Sequence, residues 1–461
     1  MNEKFFIQTF GCQMNVADSR LFSEYLEGLG YTKTENPEIA QIIIVNTCTV
    51  RQHAEDRALS FIGELKNLKE KGIASGTSCP PNGIPKIIVA GCVAERLGEK
   101  LKKNFPFVDL IVSAKDVEFF PEIFEKAFGW QQKGQNDIRP PIIASPVSEF
   151  VTITRGCNNF CSYCIVPYVR GPEKYRPLEE ILSEIEELIK KGIKEVTLLG
   201  QNVNSYISEF KVHASKKLRT PNYELRTLNY ELRTKLDFAD LLTKINQLQG
   251  LKRIRFLTSH PKDFTDKIID AVAKLEKVCK HIHLPLQSGS NKILELMNRK
   301  YTIEHYLNLI EKIRNKIPDV SITTDLMVGF PGETENDFNE TLNIVKKIQF
   351  DFAYVFKYSP REKTNASKLK DDVPTEVKIH RHKILLDTCN KIANEKSQKL
   401  VGKTLEVLVE SKNKYGNFIG KTQCNRTVIF NSEKTSEDLI GQSINVKILS
   451  AKIHSLSGIP C

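Results

Sequence analysis

The chain has 461 residues, 40% of them hydrophobic and 27% charged, and a formal net charge of +11. This composition fits a globular protein of two or three domains. It argues against a membrane-spanning protein, because no apolar run approaches the ~20 residues that a membrane helix needs. Residues 1–7 lack an apolar stretch ending in a small-residue cleavage site, so a cytoplasmic location without membrane attachment is expected. Eleven cysteines in that compartment point to metal or redox chemistry rather than disulfides. The positive charge suits a nucleic-acid partner without requiring one.

The first 110 residues repeat one unit: a short apolar run, a cysteine, then a helix-like stretch. Runs 4–10, 40–46 and 86–90 precede Cys12, Cys48 and Cys92. Each is rich in Ile, Val or Phe, as in strands buried on both faces. Residues 17–29, 54–71 and 94–103 read as the helices between them. This alternation predicts a parallel α/β domain whose strand-end loops share one edge. Cys12, Cys48 and Cys92 are then expected to converge as a three-thiolate site. Small apolar residues filling strand ends are the alternative, since free cysteine is often buried. Cys79 has no strand before it and reads as part of a turn-rich insertion at 75–83. Cys279, Cys389, Cys424 and Cys461 stand alone and read as structural.

A second triad is compact in sequence: Cys157-Asn158-Asn159-Phe160-Cys161-Ser162-Tyr163-Cys164. It follows the apolar run 150–154. A cubane iron–sulfur cluster normally takes four thiolates. Three ligands in one loop leave an iron without a protein ligand and open to a small molecule. Zinc remains the alternative, although no fourth His or Cys lies close by in sequence.

Strand-like segments recur at 195–199, 253–258, 281–286, 321–328 and 352–357, each followed by a glycine- or serine-bearing turn or a helix. Six units predict a partial (β/α) barrel with its function at the carboxyl ends of the strands. His281 and His283 lie on one strand and are expected in core or rim roles. Asn222-Tyr-Glu-Leu-Arg-Thr227 recurs as Asn229-Tyr-Glu-Leu-Arg-Thr234, which reads as a mobile duplicated insertion after the second barrel strand. An arm touching RNA is the second reading of this segment. Residues 377–399 read as a helix. Runs 405–410, 418–421, 427–430 and 444–448 predict a small antiparallel β-barrel. Lys412, Lys414, Lys421 and Arg426 are its candidate phosphate contacts.

The cysteine motifs carry a resemblance. Thr154-Arg-Gly-Cys-Asn-Asn-Phe-Cys-Ser-Tyr-Cys-Ile-Val-Pro-Tyr168, with Tyr163 before the last cysteine, is similar to the radical S-adenosylmethionine (SAM) superfamily. Asn46-Thr-Cys-Thr-Val-Arg51 with His53-Ala-Glu55 resembles the methylthiotransferases within it. Leu198-Leu-Gly-Gln-Asn-Val-Asn-Ser-Tyr206, His283-Leu-Pro-Leu-Gln-Ser-Gly-Ser290 and Val328-Gly-Phe-Pro-Gly-Glu-Thr334 match the MiaB type, which modifies tRNA. Gly420 to Phe430 resembles the TRAM domain, an RNA-binding barrel. Two departures stand out. Tyr175 replaces a usual Ser in Arg170-Gly-Pro-Glu-Lys-Tyr-Arg176, and Lys363 replaces a common Gly in Ser359-Pro-Arg-Glu-Lys-Thr364.

The resemblance implies three domains: 1–140 (methylthiotransferase), 148–385 (radical SAM barrel) and 397–460 (TRAM). It implies two 4Fe-4S clusters, an auxiliary one on Cys12, Cys48 and Cys92 and one on Cys157, Cys161 and Cys164 that binds SAM. Tyr163, Gly200, Ser259 and Gln287 are implied to line the SAM site. The implied reaction adds a methylthio group to carbon 2 of isopentenylated adenosine at position 37 in a tRNA anticodon loop. One SAM would methylate the sulfur, and a second would yield the radical. A monomer is expected, with electron and sulfur donors unidentified. The competing functions are RimO-like modification of a ribosomal-protein aspartate and a non-catalytic iron–sulfur electron carrier.

Overall fold

The computed structural model describes residues 3–50, 52–74, 84–129, 147–219, 225–432 and 439–461. The 75–83 loop with Cys79 lies outside them, as does Arg51. The chain divides into two units. The first contains 1–144, 155–173 and 359–370; the second contains 145–154, 174–358 and 371–461.

In the first unit each predicted apolar run becomes a strand. Its elements are β1 (Lys4–Thr9), α1 (Gln13–Gly28), β2 (Thr32–Lys33), β3 (Ile42–Thr47), α2 (Gln52–Ala74), β4 (Lys86–Gly91), α3 (Cys92–Leu97), α4 (Glu99–Asn104), β5 (Leu110–Ser113), α5 (Phe120–Phe128) and α6 (Val166–Arg170). The strands pair in parallel in the order β2-β1-β3-β4-β5. Every residue of β3 is buried because both faces are covered. Ile43 and Val45 pack toward Ala58, Ile62 and Leu65 of α2. Ile42 and Ile44 pack toward Phe22 and Leu26 of α1 and Phe120 and Phe124 of α5. The helix expected at 94–103 is instead two, broken at Gly98, whose φ of +48° no helix permits.

Lys363 takes a φ of +77°, which accounts for the glycine common at that place. A left-handed side-chain residue costs about 1–2 kcal/mol. Lys363→Gly is therefore expected to raise the urea midpoint of unfolding, offset in part by glycine's greater freedom in the unfolded chain.

The second unit begins with β6 (Ser148–Thr152). Short β7 (Thr154–Arg155) and β8 (Lys174–Tyr175) mark where the chain leaves for the first unit and returns. Then follow α7 (Leu178–Lys190), β9 (Glu195–Leu199), β10 (Ile207–Arg219), β11 (Leu225–Asp237), α8 (Phe238–Asn246), β12 (Arg253–Phe256), α9 (Asp266–Lys274), β13 (His281–His283), α10 (Asn291–Leu296), α11 (Ile303–Lys316), β14 (Ser321–Val328), α12 (Glu335–Ile348), β15 (Phe352–Lys357) and α13 (Thr375–Gln398). Two parallel triplets, β6-β9-β12 and β13-β14-β15, are joined by a parallel bridge from Ile254 to Val278. This is the six-strand partial barrel that the alternation predicts.

The duplicated segment, expected as a loop insertion, has regular backbone pairing. Its backbone is an antiparallel ribbon, β10 with β11, in which Ser215 faces Asn229. Residues 227–233 alternate polar and apolar types, a strand period hidden by the repeat. Residues 220–224, including the start of the first copy, lie outside the described residues.

After α13 come β16 (Thr404–Lys412), β17 (Phe418–Thr422), β18 (Thr427–Phe430), β19 (Ser443–Ala451) and β20 (Ser455–Pro460). They close a barrel in the order β16-β17-β18-β20-β19. Its β18–β20 pair is parallel, so the barrel is not purely antiparallel. The unforeseen β20 supplies that closure.

This barrel docks at the amino ends of the parallel strands. Buried Arg253 donates to Glu406 Oε1 at 2.7 Å and to the Lys421 carbonyl. Arg255 donates to Glu195 at 2.6 Å and to the carbonyls of Thr422 at 2.6 Å and Gln423 at 3.1 Å. Arg426 pairs with Asp351 at 3.2 Å, and Lys421 with Glu410 at 3.3 Å. Two of the four expected phosphate contacts are thus engaged within the protein. Among the described residues no helix is long and apolar enough to cross a membrane.

Candidate functional site

Adjacent β1, β3 and β4 bring three loops to one edge of the first unit's sheet, and these loops carry Cys12, Cys48 and Cys92. The approach is close. A Cβ on Gly11 would lie 2.9 Å from Cys48 Cβ and 2.2 Å from Asn15 Oδ1. Gly91, at φ +95°, leaves room for the Thr47 carbonyl, which a Cβ would meet at 2.4 Å. Asn15 Nδ2 donates to Asn46 Oδ1 and to the Thr47 carbonyl, both at 3.0 Å, and ties α1 to β3.

The thiols sense one another. The neighbouring Cys48 thiol, with Arg170 and backbone N–H groups, brings Cys12 down to about 6 despite burial. Cys48 is pushed up by its contact with Cys12 and by burial. Burial pushes Cys92 up, and Arg170 opposes that shift. Metal binding requires thiolates, so a thiol held low beside a guanidinium suits a ligand set.

The second triad belongs to the same unit. Cys157 N–H donates to the Gly171 carbonyl at 3.1 Å, and Cys164 N–H to the Cys161 carbonyl at 2.9 Å. Gly156 has φ +80°, and a Cβ there would sit 2.0 Å from the Pro172 carbonyl oxygen. Phe160 is left-handed and exposed at the loop's tip. Burial pushes Cys157 up to about 11. Ala366, from the returning 359–370 segment, donates its N–H to the Ser162 carbonyl at 2.7 Å.

The link between the triads is direct. Ile165, next to Cys164, packs with Val169, Ala114 and Cys92. Fully buried Asp18 accepts from Arg155 Nη1 at 2.7 Å and from Arg170 Nη2 at 3.1 Å. Arg170 also neighbours Cys92 and Cys12, and its buried Nη1 makes no hydrogen bond. On the other side, Glu55 is bound by Arg96 and by Arg361 from the returning segment. Among the described residues no three His, Cys, Asp or Glu side chains could hold a single metal ion. A cubane asks for a different arrangement, with thiolates spread over separate irons.

In the second unit the expected cofactor residues lie at the carboxyl ends of barrel strands. Gly200 follows β9, where a Cβ would be 2.0 Å from Thr154 Oγ1. Ser259 Oγ, Thr154 Oγ1 and Asn202 Oδ1 are buried without hydrogen-bond partners. Such orphans are uncommon in native proteins and fit a polar ligand. Thr258 and Gln287 take φ of +69° and +70°, the first unusual for a β-branched residue. Tyr163 lies in the cysteine loop of the first unit, half-buried. Sequence reasoning missed the pair His283–Asp325, 3.4 Å apart across β13 and β14, with Tyr354 packed edge-on to His283.

His260 exchanges hydrogen bonds with Asn204 through its backbone and caps Lys262 through Nδ1. Burial, reinforced by Arg299 and Lys262, depresses its pKa to about 2. Burial also holds fully enclosed His281 low. Both stay neutral in the folded state, whereas an unfolded histidine gains a proton below about 6.5. Stability is therefore expected to fall as pH drops from about 6.5, by at most about 1.4 kcal/mol per pH unit per histidine. His260→Asn, which keeps an acceptor, should flatten the pH profile of the urea midpoint. An unchanged profile would remove His260 from this account.

Three family models match the chain: the Radical SAM superfamily over 151–345, Uncharacterized protein family UPF0004 over 4–113, and the TRAM domain over 398–460. The tRNA-2-methylthio-N(6)-dimethylallyladenosine synthase of Caldicellulosiruptor saccharolyticus is 45% identical over 99% of this chain and 92% of its own. The synthase of Carboxydothermus hydrogenoformans is 43% identical over 100% of both chains. This chain belongs to the tRNA-2-methylthio-N(6)-dimethylallyladenosine synthase family. It is a radical SAM methylthiotransferase, with an iron–sulfur cluster and SAM as its cofactors. Among solved structures, the radical SAM methyltransferase TsrM of Kitasatospora setae matches with a TM-score of 0.53, at 11% identity over 80% of this chain and 77% of its own. That likeness speaks for the fold alone.

Proposed function

We propose that this chain adds a methylthio group to carbon 2 of isopentenylated adenosine at position 37, in the anticodon loop of a tRNA. The observation that carries this reading is that one unit gathers two cysteine triads, in a chain matching the synthases from end to end. We assign one 4Fe-4S cluster to Cys12, Cys48 and Cys92, and a second to Cys157, Cys161 and Cys164. We assign SAM to Tyr163, Gly200, Ser259 and Gln287. When bound, these groups supply the radical chemistry that an inert C–H bond demands and the sulfur that replaces the hydrogen.

The chain's own residues do the positioning. Gly200 leaves room for Thr154 Oγ1, and the orphaned Ser259, Thr154 and Asn202 oxygens offer the ligand hydrogen bonds. Arg170 sets positive charge beside the first triad, where thiolates concentrate negative charge. The target base leaves its stack to reach the site, at small cost in a single-stranded loop. On this reading residues 1–140, 148–385 and 397–460 act as three domains of a cytoplasmic monomer that needs no membrane.

The test is anaerobic incubation of cluster-loaded protein with SAM, reductant, sulfide and isopentenylated tRNA, then mass analysis of the digested nucleosides. A gain of one methylthio group on isopentenyladenosine is expected. SAM cleavage without that gain would overturn the substrate assignment and direct attention to the RimO-type protein substrate. No SAM cleavage would leave the iron–sulfur carrier.

A further inference from the structure

The closed C-terminal barrel uses its β17–β18 turn to dock on the parallel strands, through the carbonyls of Lys421, Thr422 and Gln423. Its β16–β17 turn is a different device. Tyr415, at the tip, is 77% exposed, the most exposed of the large hydrophobic side chains among the described residues. The turn is built to hold it there. Asn413 Oδ1 accepts from the N–H groups of Tyr415 at 2.9 Å and Asn417 at 3.0 Å. The backbones of Asn413 and Asn417 bond at 2.9 Å, and Gly416 takes the left-handed φ of +86° that the turn requires.

Two lysines lie on the same turn, one of them against the ring. Lys414 Nζ stands 5.1 Å from the Tyr415 centroid, and Lys412 Nζ 5.1 Å from that of Phe418. Both side chains are exposed, and neither forms an ion pair among the described residues, unlike Lys421 and Arg426. Held at the tip of the turn, the Tyr415 ring presents an open face on which a flat partner can stack. With Lys414 against the ring and Lys412 on the same turn, near Gly416, the matching partner has a flat π-face and a nearby negative charge. An unpaired nucleotide has both.

We propose that Tyr415 stacks on an unpaired RNA base while Lys412 and Lys414 meet the adjoining phosphates, a second hold on the RNA outside the reaction site. This rests on the tRNA reading and extends it from a substrate to a named contact. Stacking of one base on an aromatic side chain is worth about 5- to 100-fold in affinity.

The test measures binding of fluorescently labelled tRNA transcript to the full chain across a salt series, alongside a fully paired RNA duplex of similar length. Tyr415→Ala should weaken tRNA binding about 5- to 100-fold at unchanged salt slope, and Tyr415→Phe should bind as the parent does. Lys412→Gln with Lys414→Gln should lower the salt slope by about 2. Duplex binding should ignore Tyr415→Ala. Wild-type affinity in Tyr415→Ala, or equal losses on duplex and tRNA, would overturn the proposal. The nucleoside assay above tests the function separately, so methylthio product with unaltered Tyr415→Ala binding sinks the stacking contact and leaves the function standing.

Discussion

Cys12→Ala is expected to leave SAM cleavage intact and to abolish methylthio product. Cys157→Ala is expected to reduce 5′-deoxyadenosine formation to background. The asymmetry follows from the two proposed ligand sets. Cys157, Cys161 and Cys164 lie in one tight loop whose backbone is held by Gly171 and Ala366, so removing one ligand disables that site alone. Cys12 caps α1 at the edge of a separate five-stranded sheet, and its loss leaves this loop's covalent ligands in place. Product nucleoside and 5′-deoxyadenosine, quantified from the same incubations, check both halves. Methylthio product from Cys12→Ala would mean that the N-terminal triad is not the sulfur-bearing site.

Replacing Asp18 is expected to have the largest effect on stability. This carboxylate is fully buried and joins two guanidinium groups, Arg155 at 2.7 Å and Arg170 at 3.1 Å. Removing one member of a buried ion pair typically costs about 3–5 kcal/mol, because the remaining charge is left without compensation. Arg155 keeps Glu118 at 2.9 Å as a second partner, whereas Arg170 would face the thiols alone. Asp18→Asn preserves shape and removes charge, so it separates electrostatics from packing. Urea unfolding of the metal-free protein should show the loss in both Asp18→Ala and Asp18→Asn. If only the alanine variant is destabilised, packing rather than charge makes the contribution.

Much of this architecture was legible because its signals are local. The strand runs ending in Cys12, Cys48 and Cys92 carry the Ile and Val content of doubly covered strands, and parallel pairing then forces their loops to one edge. The barrel could be read from six such runs. The short C-terminal β20 was not legible, since Ser455-Leu-Ser-Gly-Ile-Pro460 lacks a strong strand composition and is defined by its partners β18 and β19. The helix break at Gly98 was a local signal passed over.

Long-range charge pairing was the larger omission. Arg155 and Arg170 bracket the cysteine loop in plain view, but the carboxylate that joins them is 137 residues before the first. Glu55 and Arg361 are 306 residues apart and meet only because the segment 359–370 returns to the first unit. In the same way, Arg426 looked like a phosphate ligand by type and became a docking residue by position. Charge in a sequence says what a residue can bind, and the fold decides which partner arrives.

The most direct test of the account is iron and sulfide content with Mössbauer spectra, taken on anaerobically reconstituted wild type and on the Cys157, Cys161, Cys164→Ala triple variant. Two independent clusters predict that the triple variant keeps half the iron, with a cubane spectrum that disappears when Cys12, Cys48 and Cys92 are also replaced. If the triple variant retained no iron, or the wild type carried only one cluster's worth, the two-site account would be contradicted.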